Sequence, residues 1–374
     1  MSPLHVLFYG GMGTWWGEYP LNVLKLDKGP TVAGGEAAFL QTAFGLARRG
    51  HEVVACHPGQ AGTYRGVTFR PRRDFTPVLL DGFEPDAVVS WSYMRALRSP
   101  AIPPACARLF AQQLNDLWQG VEGADSFVSP SASHAGFLKD VAKSCGLILP
   151  SIHTACSGVT CSYPNAATWP REPIVGYWSS PDRGLTHILK VWPAVHRAVQ
   201  DARLHVFYEI DRWAQVCDEA SQSGGHAGWF NAQPTLIRRL LEKCSGLGVR
   251  VFGAMARRAL AREQERCRIF CYPLDNGGPY VEGFGCALLE GLAAGCYPIV
   301  HLRDALPSVY EGAKGDWING EDELRESLIK RLSRAPASDF KGVNFEVADK
   351  YTWTRAAEEM EQAIVKTLEV RRGD

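Results

Sequence analysis

The sequence predicts an α/β protein made of two doubly wound parallel sheets that face a central cleft. Both halves alternate short apolar runs with longer segments of helical periodicity, which is the pattern of parallel strands covered by helices on both faces. The chain has 374 residues, more than a single hydrophobic core usually organises. Residues 149–173 are rich in Pro, Ser, Thr and Ala, and we interpret them as the connection between two domains.

The first half begins with a predicted strand, "HVLFYG", followed by a predicted helix, "EAAFLQTAFGLARRG". Further strands are predicted at "HEVVACHPG", "DAVVSWS", "ARLFAQQ" and "SFVSPS". Open α/β sheets bind ligands beyond the carboxyl ends of their strands. We therefore expect the functional residues to follow these apolar runs.

The second half repeats the pattern. It begins with the strand "PIVGYWS" and the helix "GLTHILKVWPAVHRAV", and continues with strands at "RLHVFYE", "VRVFGA", "RIFCYP" and "CYPIV". Residues 219–233 are predicted to be a loop, "EDE" at 321–323 the solvated start of a helix, and the charged closing segment an amphipathic helix. The predicted domains are 1–165, 166–350 and a terminal helix at 351–374.

Composition excludes several classes of protein. The 40 basic and 40 acidic residues balance, so no large net field attracts the chain to nucleic acid or to a membrane. The 11 cysteines are an odd number without the spacing of redox or zinc pairs, which favours reduced thiols. The N-terminus lacks a basic leader, and no run is as long as a membrane span. We expect a cytoplasmic enzyme, for which peripheral membrane contact stays possible.

The most informative stretch is "YVEGFGCALLEGLAAGCYPIV", residues 280–300. A Gly-Phe-Gly turn precedes a helix, whose first N–H groups suit a phosphate or sugar hydroxyls. Glu282 stands beside that turn and suits hydrogen bonds from neutral hydroxyls, whereas Glu290, inside the helix, suits another polyol such as ribose. The pair therefore indicates a nucleotide-sugar. The alternative is that Glu282 only caps the helix and Glu290 lies on a solvated face.

This stretch resembles the signature of retaining glycosyltransferases of family 4, which have the GT-B fold. Three further segments resemble the family in the expected order: "GGEAAFLQTAFGLARRGHEVV" (34–54), "VGYWSSPDRGLTHILKVWP" (175–193) and "FEVADKYTWTRAAEEMEQAI" (345–364). The resemblance covers nearly the whole chain. It implies two Rossmann-like domains, an N-terminal one that binds the acceptor and a C-terminal one that binds the nucleotide-sugar, with a terminal helix that crosses back to the N-terminal domain.

The resemblance also implies roles for single residues. Glu282 would hold the transferred sugar and Glu290 the ribose, and the backbone near "VFGAM" (251–255) would line the base. Arg183 would neutralise the charge that builds on the leaving diphosphate. No metal is implied, and the sequence has no Asp-x-Asp. The donor-binding residues implied or suggested by this comparison are Gly34, Gly35, Ser179, Gly253, Gly283, Phe284, Gly285, Cys286, Ala287 and Glu290.

Two positions depart from the family pattern. Tyr177 occupies the place of an Arg that often contacts the diphosphate, and a hydroxyl of Ser179 or Ser180 is a possible substitute. Asn115 and Asp116 occupy the place of a His-Asp pair, whose His faces the reacting sugar. An amide cannot act as a general acid, so Asn115 is limited to hydrogen bonding. We include Asn115 and Asp116 among the candidate catalytic residues.

Candidate acceptor contacts lie in the first half. Trp15 and Trp16 are suited to stacking on an acceptor, with packing in the core or at its rim as the alternative, and His134 either faces the cleft or is a structural hydrogen-bonding residue. The glycines of "FYGGMGTWWGEYP" do not form G-x-G-x-x-G, which favours an active-site loop over a nicotinamide site. The basic cluster "FRPRRDF" favours a solvated loop over a site for an anionic acceptor.

The expected protein is a retaining glycosyltransferase that uses a nucleoside-diphosphate-sugar, with UDP-sugar favoured, and no other cofactor. A saccharide or lipid-linked glycan is the favoured acceptor, and a small molecule is also possible. The alternatives are transfer to modified nucleic-acid bases, a non-catalytic nucleotide-sugar-binding protein, and a nicotinamide-dependent oxidoreductase. Salt-dependent DNA binding would favour the first of these, and NAD binding the last.

Overall fold

A computed structural model describes residues 2–10, 18–113, 117, 120–221, 227–274 and 281–373. Within these ranges the chain forms two α/β units, each built on its own sheet. Neighbouring strands are parallel except for one antiparallel pair at the edge of the first sheet. The predicted fold class is therefore confirmed.

The N-terminal unit contains eight strands in the order β3-β4-β2-β1-β5-β6-β7-β8. Helix α1 follows the first strand and contributes a continuous buried face against the sheet. The strands are β1 (His5–Gly10), β2 (Glu52–His57), β3 (Gly62–Tyr64), β4 (Val67–Pro71), β5 (Ala87–Trp91), β6 (Ala107–Ala111), β7 (Ser126–Ser129) and β8 (Ser151–Thr154), and the helices are α1 (Gly34–Arg48), α2 (Phe75–Leu80) and α3 (Ala132–Ser144).

The C-terminal unit contains six strands in the order β11-β10-β9-β12-β13-β14. The strands are β9 (Ile174–Tyr177), β10 (Arg203–Val206), β11 (Val249–Val251), β12 (Ile269–Tyr272), β13 (Tyr297–Val300) and β14 (Asp316–Trp317). The helices are α4 (Leu185–Ala198), α5 (Ile210–Ser221), α6 (Ala227–Lys243), α7 (Arg257–Arg266), α8 (Cys286–Ala293), α9 (Leu306–Val309), α10 (Glu321–Ser333) and α11 (Phe340–Asp349). The central strands β9, β12 and β13 are wholly buried apolar runs, as expected of a sheet covered on both faces.

The last helix, α12 (Trp353–Arg372), leaves the C-terminal unit and packs on the N-terminal one. It lies so close to α1 that a Cβ at Gly45 would come within 2.5 Å of the Ala357 side chain. Glu361 of α12 accepts hydrogen bonds from Arg49 at 2.7 Å and joins the buried His51 ring at 2.9 Å. The predicted return of the terminal helix is confirmed.

Two segments that were predicted to be irregular contain regular structure. Residues 227–233, expected to belong to a loop, are the start of α6, which packs against α5. The expected connection at 149–173 includes β8, the edge strand that pairs with β7 in the first sheet. The helix start predicted at 321–323 is confirmed, because α10 begins at Glu321.

Candidate active site

The turn before α8 is built around the Glu282 carboxylate. Its Oε1 accepts hydrogen bonds from the backbone amides of Phe284 at 3.3 Å and Gly285 at 2.8 Å. Gly285 has φ +83°, and a Cβ there would come within 2.4 Å of the Leu306 side chain, so this position requires glycine. Glu282 therefore holds the turn that precedes the helix, through the backbone amides of two of the three turn residues predicted to bind the donor.

Tyr272 links Glu282 to the segment after β9. The Tyr272 hydroxyl donates to Oε2 of Glu282 at 2.5 Å and lies 3.4 Å from the hydroxyl of Ser179. Burial, and then the negative charge of Glu282, hold the pKa of Tyr272 well above its ordinary value, so the hydroxyl keeps its proton. Glu282 and Ser179, which are distant in sequence, are thus part of one network at the carboxyl ends of β9 and β12.

Arg183 belongs to the same cluster. Burial lowers the pKa of Arg183, but the nearby negative charge of Glu282, together with that of Asp182, outweighs this and raises the pKa above its ordinary value. Its guanidinium is therefore permanently charged beside Glu282. The next residue, Gly184, has φ +106° and sits against the backbone of Pro273, where a Cβ would be 1.8 Å from the carbonyl oxygen. This close approach fixes the Arg183 turn against the end of β12.

The second carboxylate of the motif, Glu290, lies in a buried polar cluster. Its side chain accepts hydrogen bonds from Arg257 at 2.7 Å and from Gln264 at 3.2 Å. Both charged side chains of the ion pair are 12% exposed. Burial lowers the pKa of Arg257, but the charge of Glu290 outweighs it and raises that pKa. The alternative that Glu290 lies on a solvated face is therefore wrong, whereas its predicted contact with ribose stays a prediction.

The two units meet at the Glu282 turn. Ser131, the N-cap residue of α3, donates a hydrogen bond to the carbonyl oxygen of Gly283 at 2.6 Å. The ring of His134 lies against Gly283, where a Cβ would be 2.9 Å from the ring, so only glycine fits at this close approach. His134 is 1% exposed and shares a hydrogen bond of 2.8 Å with Ser129. It therefore sits at the boundary of the units in a structural hydrogen-bond network.

The start of α1 lies beside the Glu290 cluster. Gly34 and Gly35 form the first turn of the helix, and the amide of Ala33 donates to Oε2 of Glu36 at 2.7 Å. Arg257, which binds Glu290, also approaches the carbonyl oxygen of Val32 at 3.5 Å. The glycine turn of the N-terminal unit and the second carboxylate of the motif thus border the same region.

The other residues that the sequence singled out lie at several different places in the structure. Tyr177 is fully buried, and its hydroxyl donates to the carbonyl oxygen of Ser180 at 2.5 Å, so it supports the loop that carries Arg183. Gly253 has φ +73° and follows β11 in the segment predicted to line the base. Cys286 and Ala287 open α8. Asn115, Asp116, Trp15 and Trp16 lie outside the described residues.

Three residues that the sequence did not indicate complete the site. Tyr272 is the last residue of a buried strand, and its position at the carboxyl end of β12 was the only signal of its role. Arg257 opens α7 just after the predicted base-binding segment. Asp304 has φ +56° and accepts a hydrogen bond from the amide of Glu282 at 2.9 Å, which holds the turn from the opposite side.

The described ranges contain neither a candidate metal-binding cluster nor a candidate membrane-spanning helix. They contain no cluster of three His, Cys, Asp or Glu side chains that could hold a metal ion. None of the helices observed there is both long and apolar enough to cross a membrane.

Comparison with known proteins identifies the fold. No protein-family model and no curated protein matches the sequence. Solved structures do match along the whole chain. A glycosyltransferase involved in avilamycin A biosynthesis is 15% identical, with a TM-score of 0.66 over 98% of each chain. Sucrose-phosphate synthase from Thermosynechococcus elongatus is 14% identical, with a TM-score of 0.67 over 98% of this chain and 100% of its own.

Anabaena HepE, solved in complex with UDP and glucose, is similar as well, being 11% identical with a TM-score of 0.64 over 97% of this chain and 100% of its own. At such low identities the likeness shows the fold. The chain has the GT-B architecture of these glycosyltransferases, with two Rossmann-like units facing each other and the terminal helix on the first.

Proposed function

We propose that this protein is a retaining glycosyltransferase of family 4 that transfers a sugar from a nucleoside-diphosphate-sugar, with UDP-sugar favoured, to a hydroxyl group. The main support for this proposal is a cluster of polar side chains at the start of α8, where the two units meet. The cluster consists of Glu282, Tyr272, Ser179 and Arg183. The best acceptor is a saccharide or a lipid-linked glycan, since the four matching segments resemble a family that mostly makes such products.

The cluster provides one cation and one carboxylate for two parts of the donor. The permanently charged Arg183 and the N-terminus of α8 suit the diphosphate, because both place positive charge where negative charge develops. Among the residues that the structure describes, Glu282 accepts hydrogen bonds from Tyr272, Phe284 and Gly285. A carboxylate has about four lone-pair sites, so it retains capacity for a sugar hydroxyl.

The chemistry follows from this division. The bond between the anomeric carbon and the phosphate oxygen breaks, and its electron pair stays on the diphosphate, next to Arg183. The acceptor hydroxyl forms the new bond on the same face of the sugar and gives its proton to the departing phosphate oxygen. Glu282 is held by backbone amides and a tyrosine, so its role here is to position the sugar and not to attack it. None of these proposed steps requires a metal ion.

Thermal unfolding with UDP, GDP, ADP, CMP, their sugar conjugates and NAD tests donor binding. A ligand at about 100 times its dissociation constant stabilises the folded state by about 2.7 kcal/mol. We expect one nucleoside diphosphate to raise the melting temperature, and Arg183→Ala to abolish the shift. The matched control is Arg238→Ala, which makes the same change at an exposed ion pair with Asp211 and should leave the shift intact.

Release of the nucleotide from the stabilising sugar conjugate then tests turnover. Glu282→Gln keeps an oxygen for the two amides and removes the charge, so the fold should persist while turnover falls. Stabilisation by NAD alone would contradict the proposal. Donor binding without turnover by the unmodified protein, over a panel of saccharide acceptors, would reduce it to a nucleotide-sugar-binding protein.

A further inference from the structure

The guanidinium of Arg257 lies at the boundary between the two units. Its Nη1 donates to Oε1 of Glu290 at 2.7 Å, and its Nη2 approaches the carbonyl oxygen of Val32 at 3.5 Å. Val32 stands two residues before Gly34, where α1 of the N-terminal unit begins. Glu290 stands four residues after Cys286, the first residue of α8, which is about 6 Å along the helix axis. Arg257 therefore lies close to the first turns of two helices, one from each unit.

Most of the N–H groups of Arg257 are unused. An arginine side chain has five N–H donors. Among the residues that the structure describes, Glu290 and Val32 are the acceptors for these donors, and the contact with Val32 is at the limit of hydrogen-bond distance. The Arg257 side chain is nevertheless only 12% exposed. Because buried polar groups are usually hydrogen-bonded, a nearly buried guanidinium with unused donors indicates a ligand that is rich in acceptors.

The ion pair of Arg257 and Glu290 is held from behind. Gln264, which is 1% exposed, donates to Oε2 of Glu290 at 3.2 Å and accepts a hydrogen bond from the Tyr163 hydroxyl at 2.9 Å. The thiol of Cys161 donates to the backbone carbonyl oxygen of Arg257 at 3.5 Å. These contacts fix the guanidinium before a ligand arrives, so little conformational freedom is lost when the ligand binds.

The charges around Arg183 leave room for a second cation in the donor site. Arg183 stands beside two carboxylates, those of Glu282 and Asp182, which compensate its charge. A diphosphate would bring further negative charge to this place. Tyr177 is fully buried, and its hydroxyl is bound to the carbonyl oxygen of Ser180. A second arginine would suit the diphosphate, because a planar guanidinium can bind two phosphate oxygens at once.

We infer that Arg257 is the second cation of the donor site and donates hydrogen bonds to the diphosphate of the nucleotide-sugar. Glu290 keeps capacity for ribose hydroxyls, because a carboxylate has about four lone-pair sites and its contacts with Arg257 and Gln264 occupy two. Arg257 also offsets the charge of Glu290, which would otherwise repel the diphosphate. The inference rests on the proposed transferase function, and it adds a donor-binding residue that no sequence motif indicated.

Comparing a nucleoside diphosphate with its nucleoside tests this role. UDP and uridine share the base and the ribose and differ by the diphosphate. We would measure both dissociation constants by NMR titration for the unmodified protein and for Arg257→Gln, which removes the positive charge. If another base stabilises the unmodified protein in thermal unfolding, its diphosphate and nucleoside take the place of this pair. We expect Arg257→Gln to bind UDP about tenfold to a hundredfold more weakly and uridine equally well.

The matched control is Arg258→Gln, which makes the same change at the exposed neighbouring residue and should leave both dissociation constants unchanged. A purely structural role of Arg257 predicts a different result. Loss of the guanidinium would then disturb Glu290 and weaken UDP and uridine by the same factor. The ratio of the two affinities therefore separates contact with the diphosphate from support of the carboxylate.

A second pair of variants covers a failure to fold. Arg257→Gln leaves the Glu290 carboxylate without its cation, so urea unfolding must first show that this variant is folded. If it is not, the same ratio is compared between Glu290→Gln and the double variant Arg257→Gln/Glu290→Gln, in which no unpaired carboxylate is buried. We expect the preference for UDP over uridine to fall about tenfold to a hundredfold between these two proteins.

The inference is overturned if the ratio of UDP to uridine affinity is unchanged in the folded variant. If UDP binding by the unmodified protein depends on Arg183 but not on Arg257, the proposed function stands and only this inference fails. If no nucleoside diphosphate binds the unmodified protein, the proposed function fails and the inference fails with it.

Discussion

Glu36→Gln should stabilise the protein more at pH 8 than at pH 5, when the variant is compared with the unmodified chain at each pH. Burial raises the pKa of Glu36 from 4.5 to about 7, against the smaller opposing effects of the Ala33 amide and of Arg257 and Arg72. In the unfolded chain the carboxyl ionises near its ordinary value. Between these two pKa values the folded protein binds more protons than the unfolded one, so its stability falls as the pH rises from about 4.5 to about 7.

The magnitude follows from the difference between the two pKa values. Each unit is worth about 1.36 kcal/mol, so ionising Glu36 in the folded state costs about 3 kcal/mol above pH 7. Glutamine cannot ionise, and its amide oxygen can still accept the hydrogen bond from Ala33. Urea unfolding of both proteins at pH 5, 6, 7 and 8 measures the difference in free energy of unfolding. His57 and all other groups titrate in both proteins and cancel.

We expect the difference to change in favour of the glutamine variant by about 2–3 kcal/mol between pH 5 and pH 8, with most of the change complete by pH 7. A difference that stays constant over this range would refute the reasoning, because it would mean that Glu36 ionises equally easily in both states. A change of the opposite sign would mean that a cation binds the carboxylate in the folded protein.

Two further predictions concern the geometry of the site. Gly184→Ala places a Cβ 1.8 Å from the Pro273 carbonyl oxygen at a left-handed φ, so we expect a loss of several kcal/mol in the free energy of unfolding and loss of nucleotide binding. Gly136→Ala, in the open interior of α3, is the control and should raise stability by up to about 1 kcal/mol, and a similar loss there would contradict the steric argument. Glu290→Ala leaves the buried Arg257 without its carboxylate, and urea unfolding should reveal a cost of about 3–5 kcal/mol. A cost below about 1 kcal/mol would show that the pair is solvated.

The sequence predicted the parts of this structure that depend on local pattern. Strand β1 coincides with the run "HVLFYG", and the structure brings the candidate residues Glu282 and Arg183 together at the carboxyl end of β12. Glu282 was indicated because a carboxylate beside a Gly-Phe-Gly turn is suited to accept hydrogen bonds from sugar hydroxyls. The Gly-rich stretch after α5 suggested a loop, but packing against α5 makes residues 227–233 helical.

Partners that meet through folding were not predictable. Arg257 and Glu290 are 33 positions apart, and nothing in "ARRAL" distinguishes the arginine that turns inward from its neighbour. The surroundings of Glu36 have the same origin, because Gly10, Pro58 and Trp91 reach this side chain from three different strand ends. Periodicity specifies which face of an element is buried, whereas the pairing of buried polar groups depends on the register between elements.

The helix that crosses back has a consequence for how the protein is made. The first sheet ends at Thr154, yet the described residues nearest to Gly45 of α1 are Trp353 and Ala357 of α12, which begins at Trp353. During synthesis the N-terminal unit must therefore wait, with that apolar surface uncovered, until the whole C-terminal unit has been translated. The N-terminal unit consequently reaches its final form only when the last 22 residues have been made, because α12 packs on α1 and on the first sheet.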